Sequence, residues 1–516
     1  MRSNRDPSGE GFIVRKLSIV QLLLLAALAV SATGAVAQEA PDIIHDRTLD
    51  NGLQVVVLPS DAVPIVTVEI TVKNGAFTEP PELNGLSHLY EHMFFKGNAV
   101  IPNQEAYLKR MRELGIVFNG TTSTERVNYF FTLPADNVRE GLVFMRDAIT
   151  SPKFDNEEFT KEKQVVLGEV DRNESSPYYW FGRAMDEKVW YAHTSRKDPL
   201  GERETIEAAT IAQMKAMKST YYVPNNSALF ISGDVEVEKA FEMAEEIFGG
   251  WKKGPEPFKA HPVPEHPPLK ENQYVVVERE VQVPYVQVTW HGPSVDEDPK
   301  ATFAADVLSY ILSQPTSKFQ KSLVESGLTL GVDLGYYTQA HTGPINLSAQ
   351  VMPEKLRDAI PAMLAELEKI TLPGYYSDEQ LESAKTILAM SDLYDREKMS
   401  SFTHTVSFWW ATASLDYYRA YIDNLKSVTR ADINRYVTQY IYGKPFVAGA
   451  LVSPEVQKSV DITPDTLREL ATQVATFNST PLVNITYHGG GAASRDALGR
   501  IVQKTEVIGG VTKVYR

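Results

Sequence analysis

Residues 84–96, NGLSHLYEHMFFK, decide how this chain is read. They set His88, Glu91 and His92 within one apolar run of helix length. Residues three and four apart share a helix face, so both imidazoles and the carboxylate point at one small volume. Two His one turn apart are a ready pair of zinc ligands, and a neighbouring carboxylate not needed as a ligand can act on a metal-bound water. The order, H-x-x-E-H, reverses the commoner H-E-x-x-H zinc motif. Asn84 is the expected N-cap of this helix. Three polar residues on one helix face more often mean solvated surface than a site, so the neighbouring sequence has to decide.

Downstream, Glu157 to Asn173 (EEFTKEKQVVLGEVDRN) has the pattern of an amphipathic helix. Glu162, Val165, Val166 and Glu169 fall at i, i+3, i+4 and i+7, which predicts one shared face turned inward. Buried carboxylates are normally paired or bound to metal. Catalytic zinc commonly takes three protein ligands and a water, and either Glu162 or Glu169 could supply the third.

Around these helices the pattern is of strands. Arg47 to Ser60 reads as strand, Asn51-Gly52 turn, strand, and Ile65 to Val72 as a second strand. Gln104 to Leu114 and Asn137 to Ala148 read as helices. Gly115 to Pro134 reads as a hairpin turning at Ser123 to Arg126. Its functional reading is an exposed edge to which an extended peptide adds as a further strand.

At 516 residues the chain is too long for one core. Arg15 and Lys16 precede an apolar run closed by Ala35-Val36-Ala37, so residues 1–37 are expected to be a cleaved signal peptide. No other segment approaches a membrane-spanning length, so no stable membrane span is expected after cleavage. There is no Cys, which fits an oxidising exported compartment, with the periplasm expected. A formal net charge of -15 argues against nucleic acid or anionic membrane as a partner.

Gly254 to Lys270 is Pro-rich and predicts an extended linker. Beyond it, Tyr274 to His291 returns to strand pattern and Ala301 to Leu312 to helix. Thr429 to Pro454 then repeats the helix, Tyr/Pro turn and apolar strand of Thr210 to Val235. The repetition points to an internal duplication. The expected fold is therefore α+β, with two homologous domains, each a mostly antiparallel sheet flanked by helices. The expected boundaries are 44–252, a linker at 253–272, a second domain at 273–485 and a tail at 486–516.

With these stretches in hand, the chain resembles the pitrilysin and insulin-degrading enzyme family of zinc peptidases, M16, the inverzincins. The resemblance rests on Asn51-Gly52-Leu53, on Gly85 to Met93 with Lys96-Gly97, on the helix ending in Glu169, and on Tyr221 to Gly233 with Phe248 to Trp251. It covers roughly residues 44–475. It implies two domains forming half of a clam-shell and one zinc per chain, held by His88, His92 and Glu169. Glu91 would be the general base and Glu162 would support a ligand. Asn119, Gly120 and Thr121 would lie on the peptide-binding edge strand, and the substrates would be peptides.

One departure matters. Active members supply an Arg and a Tyr from the metal-free half, but here Ser317 to Val332 has apolar residues at the expected places, and no Arg occurs between Leu312 and Gln350. Donors to a developing oxyanion are among the largest catalytic contributions. The expectation is a zinc-bearing subunit whose partner, a homologous zinc-free chain, supplies that pair. A non-catalytic peptide-binding or scaffold subunit is the alternative.

Overall fold

The computed structural model describes residues 43–479, together with four short strands between 483 and 515. The expected signal peptide at 1–37 lies outside the described residues. In chain order the principal elements of the first half are β1 (His45–Thr48), β2 (Gln54–Pro59), β3 (Ile65–Val72), α1 (Leu86–Phe94), α2 (Gln104–Leu114), β4 (Val117–Thr122) and β5 (Val127–Pro134). There follow α3 (Val138–Thr150), α4 (Asn156–Glu174), α5 (Pro177–Val189), α6 (Ile211–Tyr221), β6 (Ser227–Gly233) and α7 (Val237–Phe248). The second half has β7 (Gln273–Glu278), β8 (Tyr285–His291), α8 (Pro299–Ser313), β9 (Gly331–Tyr336), β10 (Pro344–Gln350), α9 (Leu356–Glu368), α10 (Asp378–Asp395), α11 (Met399–Thr412), α12 (Arg430–Tyr440), β11 (Val447–Val452) and α13 (Pro464–Ser479).

The two halves repeat one topology. The first sheet runs β1-β2-β6-β3-β5-β4 and the second β7-β11-β8-β10-β9. In each, one pair is parallel, β2 with β6 and β7 with β11, and the other pairs are antiparallel. Strand for strand the orders agree once β1 is set aside. The α+β duplication expected from the sequence is thus present.

β3 (IVTVEITV) shows why the first sheet sits deep. Val66, Val68, Ile70 and Val72 are buried on one face, where α3 packs on β3, and β-branched residues suit a pleated, packed surface. The alternate residues Thr67, Glu69 and Thr71 are buried as well. Their cover comes from the other half: α11 packs on β3 and β6, while α5 packs on β7 and β11 of the second sheet. Each half therefore lends one helix to the other's sheet.

Three readings need correction. Asn84 does not cap α1. Its amide donates to the carbonyls of Ser195 and Asp198, and Gly85 is the N-cap residue, at φ 89°. The Glu79 carboxylate instead accepts from the Gly85 and Ser87 N–H groups, satisfying donors that a helix start leaves unpaired. Val165 does not share the inward face of α4: it is 47% exposed, whereas Glu162 and Val166 are buried. The arc from 162 to 169 spans two full turns, and Val165 falls off its edge. Lastly, across the expected boundary between 485 and the tail at 486–516 runs an antiparallel meander, β12 (Val483–Tyr487), β13 (Gly491–Arg495), β14 (Ile501–Ile508) and β15 (Val511–Tyr515). Among the described residues no helix is long and apolar enough to cross a membrane.

Candidate metal centre

Helix α1 is anchored by its apolar positions. Leu89, Tyr90 and Met93 are completely buried, and a fully buried Leu or Met side chain contributes about 1.5–3 kcal/mol. Gly85 makes the entry possible, because a Cβ there would lie 2.8 Å from the Gly201 Cα. His88 and His92 project from the opposite side, their rings 4.9 Å apart and nearly perpendicular.

Helix α4 packs on α1 and brings Glu169 to both rings. Glu169 Oε2 is 3.5 Å from His88 Nε2, and Oε1 is 3.8 Å from His92 Nε2. One donor atom from each residue lies within 4.8 Å of the others, and among the described residues this is the group so arranged. A tetrahedral zinc with bonds of about 2.0–2.1 Å sets its donors roughly 3.4 Å apart. The Glu169 separations of 3.5 and 3.8 Å lie near that requirement and all three donors lie within 4.8 Å of one another, so the three side chains could hold a small divalent metal. Burial, and then the neighbouring His92, push His88 down to about 4, so it is neutral with a lone pair free at physiological pH.

Glu162 takes a different position. Its Oε2 lies 3.2 Å from His92 Nδ1, and its Oε1 is 2.7 Å from the Lys96 ammonium. Burial raises its pKa, but the hydrogen bonds from His92 and Lys96 outweigh that and hold it below the usual carboxylate range. An ionised carboxylate on the far nitrogen of an imidazole fixes the ring's orientation and tautomer. The two glutamates thus sit differently: Glu169 reaches both Nε2 atoms, and Glu162 backs one ring.

Glu91 lies against the edge strand β4, within electrostatic reach of His92 and Glu169. The Thr122 hydroxyl donates to its Oε2 at 2.6 Å. A Cβ on Gly120 would sit 2.9 Å from Glu91 Cγ, so only glycine lets the carboxylate lie against the strand. Burial raises the Glu91 pKa, and the negative Glu169 adds to it. A carboxylate poised nearer neutrality is suited to take up and give back a proton. Asn119 and Thr121 stand exposed on β4, the outermost strand of the sheet, whose outer backbone edge has no partner strand among the described residues. Sequence reading gave no role to Lys96, Thr122 or Glu79. Only Lys96 left a signal, a cation one turn beyond His92.

The donor set is one that could hold a divalent metal beside a sheet edge. Two family models match the chain: "Insulinase (Peptidase family M16)" at residues 55–203 and "Peptidase M16 inactive domain" at residues 208–388. The chain belongs to the M16 peptidase family. It is similar to the zinc protease PqqE of Helicobacter pylori, 26% identical over 385 residues that cover 72% of this chain and 85% of the relative. The probable zinc protease PqqL of Escherichia coli is 22% identical over 72% of this chain, but over 41% of its own length. Among solved structures, a protease from Helicobacter pylori matches with a TM-score of 0.71 at 24% identity, covering 79% of this chain and 99% of that one. The first half of the periplasmic protease PqqL matches with a TM-score of 0.71 at 17% identity, covering 86% and 99%.

Proposed function

We infer that this chain is a zinc-dependent endopeptidase whose zinc is held by His88, His92 and Glu169, one per chain. The observation that carries the reading is the convergence of those three donors from two helices, with Glu91 beside them against an open sheet edge. The domain division at 44–252, 253–272 and 273–485 belongs to the same reading and is supported by the two sheets of like order.

Zinc bound there would supply Lewis acidity toward a water and a peptide carbonyl. The chain's own residues do the rest. An extended peptide adds to the free edge of β4 beside Asn119, Gly120 and Thr121, its backbone satisfied by the strand. Glu91 removes a proton from the attacking water and returns it to the leaving amine. Glu162, held ionised by Lys96, keeps His92 aligned.

The finer reading is a heterodimer. Between Leu312 and Gln350 the second half carries no Arg, so a homologous zinc-free partner would supply the Arg and Tyr that steady the charged carbonyl. The compartment proposed is the periplasm, supported by the signal-like segment at 1–37 and by the PqqL relative, described as periplasmic.

Glu91→Gln and His88→Ala test the site together. Glu91→Gln should retain zinc by elemental analysis and lose hydrolysis by about 10²–10⁴-fold, the range for a general base. His88→Ala should lose both. Loss of zinc from Glu91→Gln would make Glu91 a ligand and overturn the assignment. Full activity of the single chain, unchanged by any homologous partner, would overturn the heterodimer.

A further inference from the structure

The turn that joins β4 to β5 is gripped by the second half. Glu125 and Arg126 sit at its tip, and both are charged, yet Glu125 is 5% exposed. The Glu125 carboxylate accepts from the backbone N–H of Ala340 at 2.7 Å and of His341 at 3.1 Å, with His341 Nδ1 at 3.0 Å from Oε1. Those partners lie in the loop between β9 and β10, which is the same turn in the second copy of the fold. Arg126 turns the other way and donates to the His404 carbonyl at 2.9 Å and to the Ser407 hydroxyl at 3.0 Å, both on α11.

A second line of contacts runs from α11 to the strand itself. His404 Nδ1 and the Ser407 hydroxyl both meet the buried Glu69 carboxylate on β3. Asn128 Nδ2 on β5 donates to the same carboxylate at 2.8 Å, and Asn128 Oδ1 accepts from the Thr121 hydroxyl on β4. Next along β4, Thr122 holds Glu91. The side-chain contacts are hydrogen bonds, most of them to a charged group, the stronger kind, and the step from Thr121 to Thr122 is the backbone of β4 itself.

We propose that Glu125, Arg126 and Glu69 are positioning residues through which the metal-free half fixes the substrate-binding edge strand and, through Thr122, the angle of Glu91. An edge strand is held on one side only, and its free edge accepts a peptide in register only if the strand stays still. β5 alone leaves the turn end free to fray. Anchoring the tip at two points on the other half removes that freedom, so peptide pays less ordering cost on binding. The metal-free half thus serves catalysis without a residue at the metal. The inference rests on the reading of β4 as the peptide-binding edge.

The test uses the zinc-loaded full chain, with a homologous partner added if hydrolysis requires it, and a fluorogenic peptide. Glu125→Ala should raise KM about tenfold, the scale of losing hydrogen bonds to a charged group, with kcat changed less than KM and zinc content unchanged. Glu125→Gln, which keeps one acceptor oxygen, should recover part of the loss. Hydrogen exchange at residues 117–134 should speed up in Glu125→Ala, while β2 and β6 stay protected. Unchanged KM and unchanged exchange with zinc retained would overturn the proposal. If Glu125→Ala does not fold, Arg126→Ala, which removes the two bonds from the turn tip to α11, decides by the same two readouts. If the wild-type chain hydrolyses no peptide even with the homologous partner added, the functional reading fails, and exchange at 117–134 alone decides whether the second half holds the strand.

Discussion

The two halves share a topology and differ in chemistry, and the difference is sharpest where each lends a helix to the other. α5, from the first half, meets the second sheet through Phe181, Met185 and Val189 against Val275, Val447 and Leu451, an apolar cluster. The reciprocal contact of α11 on the first sheet is polar. There Glu69 meets His404 and Ser407, Ser232 meets Thr403, and Gln54 accepts from the Trp410 indole at 2.7 Å. Apolar packing is non-directional and tolerates small slides, whereas a satisfied buried network accepts one arrangement. The directional contact lies under the sheet that carries the metal centre. The sheet with no metal motif is held by packing.

That contrast predicts unequal costs. Glu69 is completely buried, with His404 and Arg126 close enough to pull its pKa below the ordinary value despite burial. Removing one partner from a buried charged cluster costs roughly 3–5 kcal/mol, because the charges left behind have no counterpart. Glu69→Ala should therefore lower stability by about that amount in denaturant unfolding. A loss of about 1 kcal/mol or less would mean that the polar contact specifies nothing that the apolar one does not.

On the apolar side the expected effect is smaller and of steric origin. A Cβ on Gly449 would lie 2.4 Å from Met185 Sδ and 2.8 Å from the Phe181 ring. Overpacking of this kind costs typically 1–3 kcal/mol. Gly449→Ala should destabilise by about that much, and Met185→Ala in the same chain should return part of it, since the sulfur is the nearest obstacle. Additive losses in the double variant would show that the two residues do not share one packing site.

What the sequence reveals follows the range of the forces involved. β3 and α2 are legible to the residue, because alternation and helical spacing are local signals. Of the three donors that the structure brings together, His88 and His92 are legible since they share one turn, whereas spacing alone leaves Glu162 and Glu169 open and the family resemblance points to Glu169. Asn84 is misread because its partners, Ser195 and Asp198, lie over a hundred residues away. Glu125 and Arg126 look like ordinary turn residues, and their partners are 215 to 281 residues distant. Glu69 does leave a trace: it is the lone charge in IVTVEITV, a strand otherwise apolar or hydroxylic on both faces. No spacing rule names the helix that would come to neutralise it.

The smallest predicted effect concerns the end of the apolar contact, where α5 runs out against β8. His291 Nε2 donates to the Val189 carbonyl at 2.8 Å, and its ring stacks on Trp190 at 4.8 Å. Burial, followed by the nearby His266 and Lys197, pushes its pKa down to about 4 although the Val189 carbonyl works in the opposite sense. In the unfolded chain the value is about 6.5. Between those limits the unfolded state binds more protons than the folded state, so stability falls as pH drops from about 6.5 toward about 4. The ring is only partly covered, which reduces the contribution to about 1–2 kcal/mol across the window. His291→Gln retains a donor for Val189 without a titrating ring, so its unfolding free energy should fall less steeply over that range than the wild type's. Equal slopes would place the acid sensitivity elsewhere. A steeper slope in the variant would mean that the folded state holds His291 protonated, which would reverse the sign argued from its burial.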